Sequence, residues 1–187
     1  MEPLVFELAT LAIAGQVLFL ADLHGMDALL VTVAGGLLLA LSVIDARHLL
    51  IPDGASLGLV ILGLLEAAVA AVPPGLVDRL IGAGAGWMVF VLIESGYRRL
   101  RARDGLGRGD AKLFAAAGAW LGWQGLPVVL GLASLAALLF VGLRALHERR
   151  LPEASRAIAF GPFLALGLWG ALLVARAPLL ELAFAPL

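Results

Sequence analysis

The chain of 187 residues is 62% hydrophobic and 14% charged, with a net charge of −1. Ordinary soluble domains are roughly half apolar and about a quarter charged, so this composition describes an all-α polytopic membrane bundle; the net charge itself carries no information about nucleic acid, and no nucleic-acid partner is expected. With no cysteine, disulfides, thiolate catalysis and Cys-ligated metal centres are excluded, and three scattered histidines (His24, His48, His147) argue against a histidine metal cluster.

A membrane-spanning helix takes about 20 mostly apolar residues, and the sequence predicts six to seven spans in a single domain covering residues 1–187. The first runs from Pro3 to Ala21. It is read as a retained helix, because Glu2 and no Lys or Arg precede it and Ala21-Asp22-Leu23 is a poor cleavage context. The second runs from Ala28 to about Asp45. A loop through Pro52 follows, and Asp53 is placed to cap the third, Gly54 to Val72. Pro73-Pro74-Gly75 breaks the chain before the fourth, Leu76 to Tyr97. A basic connection, Arg98 to Asp104, leads into the Gly-rich residues 105–109. The run Ala111 to Trp123 is short, either a thin span or a re-entrant segment, and Gln124-Gly125-Leu126-Pro127 is expected to turn the chain into a helix over Val128 to Leu146. The last helix is predicted from Pro162 to Val174, with proline well placed in a first turn.

Charge placement orients the bundle. With the 45–53 loop inside and the spans alternating, eleven of the thirteen Lys and Arg fall on the cytoplasmic side and only Arg79 and Arg176 on the other. Asp45, Asp53 and Asp110 then share the cytoplasmic face.

Asp45 ends an apolar run, where the negative end of the helix dipole and the low dielectric both disfavour an ionised carboxylate. It requires a partner, a proton or a chemical role. Arg47 or His48 could pair with it, but an intramembrane acid is a functional candidate in its own right. Asp110, after Gly107-Arg108-Gly109, is its counterpart. On its own Asp110 reads first as a helix N-cap, a common role for Asp. Two carboxylates at one depth share a proton, one serving as acid and the other as base toward water. Gly107 and Gly109 leave room for a peptide backbone, and a substrate cut at membrane depth must be unwound to expose its amide. Lys112 reads as an interfacial anchor, Arg98 to Arg108 as a topology anchor, and Glu66 and Glu94 as bundle-interior hydrogen-bonding groups.

With Ile44-Asp45, Leu50-Ile51-Pro52-Asp53, the GxGD run Gly107-Arg108-Gly109-Asp110-Ala111-Lys112-Leu113 and Phe160-Gly161-Pro162-Phe163 in that order, the chain resembles the prepilin peptidases, GxGD-type membrane aspartic proteases. The likeness extends from about residue 28 to 175. It implies catalytic Asp45 and Asp110, with Pro52, Asp53, Gly107, Gly109, Lys112, Gly161 and Pro162 as supporting positions. It further implies cleavage of a basic leader from type IV prepilins or pseudopilins, after a glycine at the cytoplasmic face of a bacterial inner membrane, with no cofactor and with lipid and the prepilin as partners. Many family members carry two CxxC pairs in a cytoplasmic region near the N-terminus and also N-methylate the new terminus. Asp22 to Asp27 leaves no room for such a region, so the chain is similar to compact, peptidase-only members or to a truncated form. Competing readings are a proton-coupled transporter using Asp45, Glu66, Glu94 and Asp110, a non-catalytic assembly protein, and a presenilin-like GxGD protease with another substrate.

Overall fold

A computed structural model describes residues 26–70, 73–101, 107–148 and 159–176. The helix expected over 3–21 lies outside these residues. Every regular element among them is α-helical: α1, Met26–His48; α2, Asp53–Ala70; α3, Leu76–Arg101; α4, Arg108–Glu148; and α5, Gly161–Arg176. Stretches of α1, α3 and α4 are each long and apolar enough to cross a membrane. Large apolar side chains such as Val77, Leu92, Leu138 and Leu143 lie exposed on the outside of the bundle, the surface a membrane protein presents to lipid. The basic residues expected in a connection after Tyr97 instead extend α3 as far as Arg101.

Helix α4 runs for 41 residues. If straight it would be about 60 Å long and would set Phe140 about 45 Å from Asp110. Phe140 instead stacks on Phe163, with ring centroids 5.5 Å apart, and Phe163 lies two residues past Gly161, which touches the Asp45–Asp110 site described below. The helix therefore doubles back. The reversal is at Gly122, whose φ of 67° and ψ of −179° lie outside the helical region, a conformation glycine adopts without steric cost. The expected turn at Gln124–Pro127 is thus displaced by a few residues. Pro127 rides inside the returning arm, close to its start, where it removes a single backbone hydrogen bond.

The outgoing arm of α4, residues 108–121, is the centre of the bundle. Ala116, Ala117, Ala119 and Trp120 are all essentially inaccessible. Helices α2 and α3 pack against α4, α5 packs against α4 and α1, and α1 also meets α2. In a membrane, association depends on close van der Waals packing of small residues. Here the backbones of α3 and α4 touch where Gly82 meets Gly118: a Cβ added to Gly82 would lie 2.6 Å from the Gly118 carbonyl oxygen. Trp120 donates its indole N–H to the Leu59 carbonyl at 2.9 Å, tying α2 to the same arm.

One end of the bundle is fixed by charge. Glu66 on α2 and Arg79 on α3 are both 0% exposed. The Glu66 carboxylate is shared between Arg79 and Arg176 of α5. Arg79 also donates to the carbonyls of Pro74 (2.8 Å) and Gly63 (3.0 Å). Three helices thus converge on one carboxylate, which the sequence had marked only as a bundle-interior hydrogen-bonding group.

Candidate active site

The opposite end gathers the residues the sequence singled out. Helix α1 ends at His48 with an αL cap: Leu49 has φ 52°, and its N–H returns to the Asp45 carbonyl at 2.8 Å. This is the single-bond cap normally completed by glycine, and a leucine there is strained. The turn sends Ile51 back into the bundle, where it is buried, and α2 begins at Asp53.

Asp45 is 5% exposed and Asp110 8%. They come from opposite helix termini, the last turn of α1 and the first turn of α4, and are electrostatic neighbours. Each is met by backbone amides. The Gly161 N–H donates to Asp45 Oδ2 at 3.0 Å. Gly161 opens α5, so this is one of the N–H groups without an intrahelical acceptor. The positive end of the α5 dipole therefore offsets the unfavourable end of α1 at Asp45. Pro162, next in the first turn, has no N–H to satisfy. The Gly107 amide hydrogen-bonds the Asp110 carboxyl, and the Asp110 N–H returns to the Gly107 carbonyl at 3.0 Å, so the GxGD segment wraps its own aspartate. Among the described residues neither aspartate takes part in an ion pair; the partner Asp45 required is an amide from α5 rather than Arg47 or His48.

Glycines 109 and 161 make the close approach possible. A Cβ on Gly161 would lie 2.5 Å from Asp45 Oδ2 and 3.0 Å from Ile51 Cδ1, and one on Gly109 would lie 2.7 Å from Ile51 Cβ. The space at Gly109, expected to admit a peptide backbone, is taken by this chain's own Ile51. Gly107 remains exposed. On one flank Phe163 packs between Phe140 and Phe160.

Charged residues on the neighbouring turns pair with one another. Asp53, expected as a cap at the start of α2, forms an ion pair with Lys112 on α4, expected as an interfacial anchor. Glu94, buried on α3, lies 3.7 Å from Arg108. The four acids of a proton relay do not line up: Glu66 sits at the far end, held by two arginines. Among the described residues no group of three His, Cys, Asp or Glu could hold a metal ion.

Such a pair has the composition for general acid–base hydrolysis. Two carboxyls close enough to interact can hold one proton between them, and backbone amides orient each of them.

Residues 29–142 match the type IV leader peptidase family. The chain is 41% identical over 173 residues to a prepilin leader peptidase/N-methyltransferase of Aeromonas hydrophila, covering 91% of this chain and 57% of the relative. It is 44% identical over 137 residues to the protein of the same name from Aeromonas salmonicida (73% and 46%), and 45% identical over 132 residues to that of Escherichia coli K12 (69% and 56%). The chain spans about half the length of these curated relatives. No solved structure gives a significant match.

Proposed function

The chain belongs to the type IV leader peptidase family, and from that premise we propose that it is an aspartic endopeptidase that removes the basic leader of type IV prepilins or pseudopilins. Its residues 1–187 form one peptidase domain with six to seven membrane crossings in a bacterial inner membrane, surrounded by lipid, with the site at the cytoplasmic face. Arg47, Arg99, Arg108, Lys112 and Arg144 lie on helix stretches toward the aspartate end, whereas Arg79 and Arg176 converge on Glu66. That asymmetry supports the orientation.

The observation that carries the reading is the pair itself. Two buried carboxyls from different helices interact electrostatically, each oriented by a backbone amide and, among the described residues, neither in an ion pair. The ionised member takes a proton from water, whose oxygen bonds the scissile carbonyl carbon. The protonated member gives its proton to the carbonyl oxygen, leaving a gem-diol. In the second step the amide nitrogen receives a proton from one carboxyl and a gem-diol hydroxyl returns one to the other. The C–N bond breaks, and the pair again holds one proton. Lys112, Asp53, Pro52 and the glycines support the pair. The names of the relatives also carry methyl transfer, whereas the two carboxyls serve hydrolysis.

The test is cleavage of a candidate prepilin by purified protein in lipid, wild type beside Asp45→Asn and Asp110→Asn, with the new N-terminus sequenced. A specific cut after glycine, lost in both variants, is expected. Normal cleavage by either variant removes that aspartate from the mechanism.

A further inference from the structure

Asp45 and Asp110 lie on separate helices, so something must hold their spacing. The segment that connects α1 to α2 packs against the chain beside each of them. It leaves Asp45 through the strained αL residue Leu49. It then inserts Ile51, which is 6% exposed, against Gly109 and Gly161 together. Gly109 precedes Asp110, and Gly161 is the residue whose amide holds Asp45. One side chain thus touches the backbone on either side of the carboxyl pair. Two residues later Asp53 reaches across to Lys112, two positions past Asp110 on α4.

We propose that residues 49–53 form a strap that sets the spacing of the two carboxyls, with Ile51 as its wedge and the Asp53–Lys112 ion pair as its tether. Ile51, Asp53 and Lys112 are then positioning residues for the proposed hydrolysis, and the inference rests on that reading. The tether joins the segment that follows Asp45 to the helix whose first turn carries Asp110. The Asp53 side chain is 79% exposed and that of Lys112 35%. An ion pair so open adds little to folding stability, so a structural role alone predicts almost no effect when it is removed. A wedge with neighbours on both sides of the pair is different. Shrinking it lets Gly109 and Gly161 close in, and displacements of about 1 Å in a reacting constellation can lower rates about a hundredfold.

The experiment has two arms, both on the full chain in lipid. In the first, prepilin cleavage is compared for wild type, Asp53→Asn, Lys112→Met and the exchanged pair Asp53→Lys with Lys112→Asp. Single variants are expected to lose about tenfold or more in kcat at unchanged KM and unchanged melting temperature, and the exchanged pair is expected to recover most of the loss. An exchanged pair no better than the single variants overturns the tether. The second arm needs no catalysis. Because the chain has no cysteine, Asp45→Cys with Asp110→Cys places the only two thiols at the pair. Bifunctional thiol reagents of graded span then measure their separation, with Ile51 intact, with Ile51→Ala and with Asp53→Asn. The strap predicts fast crosslinking by one span in the intact background and a slower, broader profile in both variants. An unchanged profile overturns the proposal whatever the kinetics. If wild type cuts no prepilin while the profiles do broaden, the strap stands and the assigned substrate falls.

Discussion

The two ends of this bundle both bury carboxyl groups, and they treat them in opposite ways. At one end Glu66 is surrounded by Arg79 and Arg176, so the carboxylate is fully compensated and three helices are joined. At the other, Asp45 and Asp110 are electrostatic neighbours with backbone amides as their hydrogen-bond donors. A buried charge removed from water needs compensation. Where the protein supplies cations, the group holds the structure. Where it supplies a second acid instead, the arrangement is poor for stability and suited to moving protons.

The comparison is broken most directly at the aspartates. Asp45→Asn or Asp110→Asn should lower cleavage by about a hundred- to ten-thousandfold, while thermal unfolding in detergent stays level or moves upward, because a buried ionisable group without a cation partner is replaced by a neutral one. A large fall in melting temperature would make that end structural too. The mirror experiment is Glu66→Gln. It leaves Arg79 and Arg176 short of their counter-charge and should cost about 3–5 kcal/mol of stability, read by denaturant or thermal unfolding, with cleavage per folded molecule retained. A smaller loss is expected between the two ends: Gly118→Ala forces a methyl group into the Gly82 backbone and should destabilise by about 1–3 kcal/mol. The smallest effect sharpens the contrast from the strained side. Leu49→Gly removes a side chain from an αL position and should stabilise the fold by up to about 1 kcal/mol, a gain that melting temperature would register.

Much of this was legible in the sequence, for identifiable reasons. Asp45 stands out because it ends an apolar run, and Asp110 because glycines and a charge interrupt another. Helices α1, α2 and α3 and the last helix follow from apolar runs bounded by Pro, Gly or charge, and they agree with the expected spans to within a few residues. The reversal in α4 was placed at Gln124–Pro127 because Gly and Pro together punctuate a chain more strongly than one glycine does. The structure uses Gly122 instead, since only the backbone dihedral, not the composition, separates it from the other glycines. Leu49 carried no signal, because a left-handed leucine is dictated by its surroundings. Ile51 looked like any apolar residue. Gly161 and Pro162 entered through resemblance to a family; the residues alone would not have tied them to Asp45, because the contact closes across 116 positions of chain.

That separation has a consequence for how the protein is made. Both aspartates leave the ribosome well before the helix that opens with Gly161. Until that helix arrives, Asp45 sits at the negative end of α1 without the amide that orients it, and Ile51 has only one of its two glycine walls. A nascent chain therefore already contains its two acids but not their arrangement. The amide contact at Asp45 and the second wall around Ile51 are completed only once α5 has been synthesised and docked.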